Sequence, residues 1–228
     1  MKRRLKKLSA VALGVVVFFA AILFCIAAVA VGGQHFARVS FSKSYYFLVK
    51  SCTETSVVAV SSDVYAAGGA GYYMEGENAV AIACYFKETS AQSVQRNLQS
   101  KGTETELIER TAEDLILRGK KSEYKEQIES NLNTVDQLAH ILYDTANGLE
   151  RSELSQKQAK ASVESVASSL KGLREGNADE IFSSWNLGLM EAERRAKELT
   201  QGLLFAKDLR YLQAMLCDKT VRMAKYFV

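Results

Sequence analysis

Uncharged residues run unbroken from Leu8 to Val31, 24 positions dominated by Ala, Val, Leu, Ile and Phe, and five cations, Lys2, Arg3, Arg4, Lys6 and Lys7, stand ahead of them. A helix rising about 1.5 Å per residue would carry this run across roughly 36 Å, against a bilayer core of about 30 Å. The pattern predicts a basic tail over 1–7 and a transmembrane helix over 8–31. Cationic flanks stay in the cytoplasm, so the remainder of a single-pass chain would lie on the extracytoplasmic side of the cell membrane. A cleaved signal peptide is the competing reading, because Ala28-Val29-Ala30 has the small-x-small form of a cleavage site. The apolar region of such a peptide is about 7–15 residues, shorter than this run. A lipoprotein site is excluded, since Ile22, Leu23 and Phe24 precede Cys25 where small residues are required.

From Phe41 to about Glu109 short apolar runs alternate with helical stretches. Tyr45-Tyr46-Phe47-Leu48-Val49 has the aromatic and aliphatic composition of a strand. Val57, Val60 and Val64 recur at helical spacing within Thr55 to Ala67, and the Gly68–Gly71 run ends that helix. Gly71 to Met74 reads as a strand, Glu75-Gly76-Glu77-Asn78 as a hairpin turn, and Ala79 to Phe86 as the return strand. Thr89 or Ser90 can cap a helix carrying Ala91, Val94 and Leu98, which Gly102 ends, and Thr103 to Ile108 reads as a last strand. Strand, helix, strand, strand, helix, strand predicts a four-stranded antiparallel sheet with two helices on one face.

Beyond about Thr111 the period becomes helical. Ile128, Leu132, Val135, Ala139, Leu142, Ala146 and Leu149 form a heptad seam, and Ala159, Val163, Val166, Leu170 and Leu173 form another. Ser155 with Gln158 predicts a capping box between them. Gly176-Asn177 breaks the pattern and Asp179 can cap the next helix. There Ile181, Phe182, Trp185, Leu189, Ala192, Ala196, Leu199 and Leu203 share a face that Leu209, Leu212, Leu216 and Met223 extend, and Gly202 allows a break within it. These seams either close on each other as a three- or four-helix bundle or await a protein partner or a second copy. The expected fold class is therefore α+β. It comprises an N-terminal transmembrane helix, a small βαββαβ module of ferredoxin or RNP-like form over 41–109, and an all-α bundle over 112–228.

The runs "YYFLVKS" at 45–51, "AAGGAGYYMEGENAVAIACYFKETSAQSVQRNLQSKG" at 66–102 and "TETELIE" at 103–109 resemble a SPOR (sporulation-related) domain, an extracytoplasmic module of bacterial division and sporulation proteins. The resemblance covers about 30% of the chain. It implies binding of peptidoglycan glycan strands lacking stem peptides on an open sheet face, with Tyr46, Leu48, Tyr73 and Tyr85 as the ligand-contacting residues. The chain departs from the family pattern at Leu48, where Gln is frequent, and at Ala79, Ala81, Ala83 and Cys84, where the third strand often carries Arg. Read without the family, the tyrosines are either packing residues or a platform on which sugar rings stack.

Charge and cysteine content narrow the function. Without the five N-terminal cations, 24 basic and 26 acidic side chains remain, so the body lacks the basic excess of a nucleic-acid-binding domain. Cys52, Cys84 and Cys217 show no CxxC spacing, and they read as buried small residues, with a Cys52–Cys84 bridge open. His35 and His140 are isolated, and neither an HExxH, a GxSxG nor a phosphate-cradling glycine loop is present. The sequence thus predicts no catalytic residues, no metal and no cofactor. Two functions are expected: a membrane-anchored envelope protein binding glycan, or a non-catalytic scaffold recruiting a partner through 112–228.

Overall fold

The computed structural model describes residues 36–227, so the basic tail and the 8–31 span lie outside the described residues. Six strands and six helices follow. They are β1 (Phe36–Val39), β2 (Lys43–Ser51), α1 (Val57–Ala66), β3 (Tyr72–Met74), β4 (Ala79–Tyr85), α2 (Glu88–Ser100), β5 (Glu106–Ala112), β6 (Leu115–Arg118), α3 (Lys125–Glu150), α4 (Gln156–Gly176), α5 (Ser183–Thr200) and α6 (Ala206–Tyr226). Short 3-10 turns, Gly119–Tyr124 and Glu180–Phe182, lead into α3 and α5.

The main sheet is antiparallel throughout, in the order β3-β4-β2-β5, with β2 at its centre. A register shift between Leu48 and Val49 lets β4 carry one extra residue opposite β2. Glycine is required at Gly71, which adopts φ +67° with the Ser61 carbonyl oxygen only 2.9 Å from where a Cβ would stand. That close approach seats the second half of α1 against the start of β3.

Alternation along the strands gives the sheet two faces. Tyr45, Phe47, Val49, Ala81 and Cys84 belong to the large core, together with the seams of the C-terminal helices. Leu48, Val64, Val80, Ala83 and Ala91 are buried apart from that core, forming a thinner layer on which α1 and α2 pack. α3 packs chiefly on α6 and α4 on α5, which makes a four-helix bundle. α6 also lies across β4, β5 and β3.

The expected fold class needs correction on three counts. The region after residue 112 is not all-α, because β6 lies within it and pairs with β1 in a separate two-stranded ribbon. The helices do not form a unit standing beside a free sheet. A single core runs from Val39 to Phe227 through both, giving a mixed α/β body. And among the described residues no helix is long and apolar enough to cross a membrane. The physical reason for the merging is that β2 and β4 are apolar on both sides. A sheet with two apolar faces needs a layer on each.

Within the bundle, Ile128, Leu132, Val135, Ala139, Leu142 and Ala146 are all buried, as the heptad spacing requires. Ser155 forms the expected capping box with Gln158, and the Asp179 carboxylate accepts from the Ile181 N–H at 3.2 Å. The face from Ile181 to Met223 is broken beside Gly202, as that glycine allows. α5 ends at Thr200, and Leu203 stands 75% exposed in the connection to α6.

Candidate functional site

The register decides what the four sequence-predicted contact residues can do. Tyr46 lies between Tyr85 on β4 and Glu109 on β5, and Leu48 between Ala83 and Leu107. Tyr73 lies opposite Val80 at the β3 edge. All four therefore belong to the face on which α1 and α2 pack. Leu48 has no exposed surface, while Tyr46, Tyr73 and Tyr85 are half-buried. The Tyr85 ring meets Tyr143 of α3 edge-on at 6.2 Å. Burial, then the neighbouring Tyr143, pushes its hydroxyl up to about 12.

The opposite face carries the chemistry that periodicity does not reveal. Tyr45 donates its hydroxyl to Asp136 of α3 at 2.9 Å, and Lys43 pairs with the second oxygen of that carboxylate at 3.1 Å. Tyr72 donates to Asp218 of α6 at 3.0 Å, where Arg222 also binds at 2.9 Å. The other Asp218 oxygen accepts no hydrogen bond and faces Arg110 of β5 at 3.8 Å. Arg110 and Arg222 reach outward to Glu77 and Glu75, at 3.0 and 2.9 Å, on the turn between β3 and β4. Burial first, then Cys217 and Asp136 at Tyr45 and Asp218 at Tyr72, raise both hydroxyls far above an ordinary tyrosine. Two buried carboxylates, each compensated by a cation and a phenol, thus fasten the third and sixth helices to the sheet.

A smaller contact closes the sheet's other flank. Tyr65 of α1 donates to Asp208, whose other oxygen caps α6 by accepting from the Phe205 N–H at 3.0 Å. Burial, then that hydrogen bond, pushes the Tyr65 hydroxyl up to about 12. Both faces of the main sheet are covered, one by α1 and α2 and the other by the C-terminal helices.

Two of the concave regions on the surface combine aromatic or apolar side chains with charged ones. A cleft of about 310 Å³ at the start of β2 is lined by Tyr46, Phe86, His140, Lys43, Lys87 and Asp136. His140 stacks on Phe86 with ring centroids 3.6 Å apart and planes 16° apart, giving a flat aromatic wall beside the Lys43–Asp136 pair. Of the sequence-predicted residues, Tyr46 alone lines this cleft. A wider groove, about 860 Å³, separates β6 from the end of α6 and mixes Ile116, Val221 and Phe227 with Asp114 and Arg118. Among the described residues no group of His, Cys, Asp and Glu is placed to hold a metal ion.

Comparison with protein-family models, curated proteins and solved structures finds no match for this chain.

Proposed function

We propose that the protein is a non-catalytic assembly protein of the bacterial cell envelope. Its basic and apolar N-terminal stretch attaches it to the membrane, and its body lies on the extracytoplasmic side and recruits a protein partner. The observation that carries this reading over glycan capture is the pair of buried anchors, Tyr45 to Asp136 and Tyr72 to Asp218. They hold helices on the sheet face where a strand of sugars would otherwise lie. Leu187 and Met190, 63% and 50% exposed one turn apart on α5, would supply an apolar contact for such a partner. The test is sedimentation of the full chain in detergent with purified peptidoglycan, with and without stem peptides. The assembly reading expects the protein to stay in the supernatant with both. Saturable pelleting with the denuded glycan overturns it.

A second reading keeps glycan binding and moves it to the cleft beside β2. It is favoured by the His140–Phe86 stack and Tyr46, which offer aromatic faces next to charged hydrogen-bonding groups. On that reading pelleting is seen with the native chain and lost with His140→Ala and Tyr46→Ala.

A further inference from the structure

We infer that the outer face of the β1–β6 ribbon rests on the lipid headgroups of the membrane and fixes how the body stands on it. Pairing sets Phe36 opposite Arg118 and Arg38 opposite Ile116, so these four side chains share one face of the ribbon. Ala37, Val39, Leu115 and Leu117 take the other face and pack into the core. Asp114 locks the ribbon in place, since one of its oxygens accepts from Arg38 at 2.7 Å and the other from the Phe41 N–H at 3.0 Å. The inner face is thus committed to the body, while Phe36 and Ile116 remain 56% and 54% exposed on the outer one. Arg118 stands over the Phe36 ring, 5.8 Å from its centroid, so charge and apolar surface lie side by side.

Chain length selects the occupant of that face. Four residues, Gly32 to His35, separate the apolar run ending at Val31 from Phe36. At no more than about 3.6 Å per residue, Phe36 can stand at most roughly 18 Å from the end of that run. The headgroup layer outside the hydrocarbon takes up about 5–7 Å of this reach. The chemistry of the face suits that place. Phe36 and Ile116 can sink to the boundary of headgroups and acyl chains, while the arginines lay their stems alongside and bind lipid phosphate. Beside Ile116 and Arg118, the groove toward the end of α6 adds Lys121 and Lys225 against the acids Glu113 and Asp114, and Asp114 is already held by Arg38. The surplus is positive, as attraction to anionic lipid requires. Two apolar side chains alone would hold a bilayer weakly, but the tether makes the contact intramolecular, at an effective concentration on the order of millimolar. This inference rests on the proposed membrane attachment and goes beyond it. A single span leaves the body free to swivel, whereas a second contact fixes its tilt and so the direction in which a partner is met.

The test puts a fluorescent reporter on the ribbon. Trp185, the single native Trp, is 1% exposed, and the native chain sets the background. Ile116→Trp adds a second emitter at an exposed position, away from the core. Val58→Trp is the control, because Val58 is 75% exposed on α1, which follows the end of β2 opposite to the ribbon. Each full chain is reconstituted into vesicles of phosphatidylcholine and phosphatidylglycerol and floated on a density gradient. Its emission is then read with lipids brominated near the headgroups and with aqueous iodide. For Ile116→Trp the added emission should be blue-shifted, with most of it lost to brominated lipid and little to iodide. Val58→Trp should show the reverse. Loss of the added emission at position 116 to iodide alone, to neither quencher, or equally in both variants overturns the inference. The face would then be open to water, covered by protein, or no nearer the lipid than the rest of the body. A chain that does not float with the vesicles overturns the membrane attachment itself, and the inference falls with it.

Discussion

Asp218 is the residue on which the joint between helix and sheet most depends. It is completely buried, and its neighbours Arg110, Arg222 and Tyr72 come from three different elements. Replacing it by Ala strands two partly buried guanidinium groups and a phenol, and should destabilise the chain by about 3 kcal/mol in urea unfolding. The exposed pair Arg194–Glu198 is the contrast, and Arg194→Ala should cost no more than about 0.5 kcal/mol. The buried phenols give a pH signature. Folding favours the neutral hydroxyl of Tyr45 and Tyr72, so above the ordinary value of 10.0 the unfolded chain holds fewer protons than the folded one. Stability should be unaffected by these groups below pH 10 and fall above it, by about 1.4 kcal/mol per pH unit for each tyrosine. Tyr45→Phe should remove one tyrosine's share of that slope, measured by urea unfolding between pH 9 and pH 11.5. None of this was legible in the sequence. Asp136 sits beside Val135 and Asp218 beside Cys217, where a carboxylate reads as a solvated position. Only the arrival of β2, β3 and β5 makes those positions buried.

At the scale of elements the sequence was informative wherever the signal was local. The hairpin from Tyr72 to Tyr85, the two heptad seams and the capping box at Ser155 all follow from spacing and turn chemistry. The glycine run before β3 can be tested directly. Gly71→Ala must place a Cβ 2.9 Å from the Ser61 carbonyl oxygen at positive φ, and should cost about 2 kcal/mol. Gly76→Ala, also at positive φ but with open space around it, should cost about 1 kcal/mol. β1 and β6 were not legible. Each has four residues, and they find each other across more than seventy residues of chain, Val39 opposite Leu115. Alternation over four residues carries too little information to mark a strand. The break between α5 and α6 was half legible, because Gly202 allows an end to the helix there while the apolar spacing runs on. Leu203 keeps the helical spacing of the apolar face, but Gly202 and the turn around it expose that leucine.

For the whole molecule, periodicity divides the chain near residue 112 while the core does not. A change of period marks where secondary structure changes, and carries no information about whether two layers share an interior. The apolar residues on both sides of β2 and β4 were the sign that the sheet needed a second cover. A fragment of residues 36–113 should therefore fail to form a stable sheet, because Tyr45, Phe47 and Val49 would face water. Circular dichroism and thermal melting of that fragment would check it. The most direct test of a shared core is native-state hydrogen exchange on the full chain in detergent. It would compare the amides of Phe47 and Leu48 in the central strand with those of Leu212 and Leu216 in α6. A single cooperative body predicts that both sets open with the same free energy, equal to that of global unfolding. Exchange in α6 at an opening free energy more than about 2 kcal/mol below that of β2 would contradict it, since the sheet would then outlive the helix that covers it.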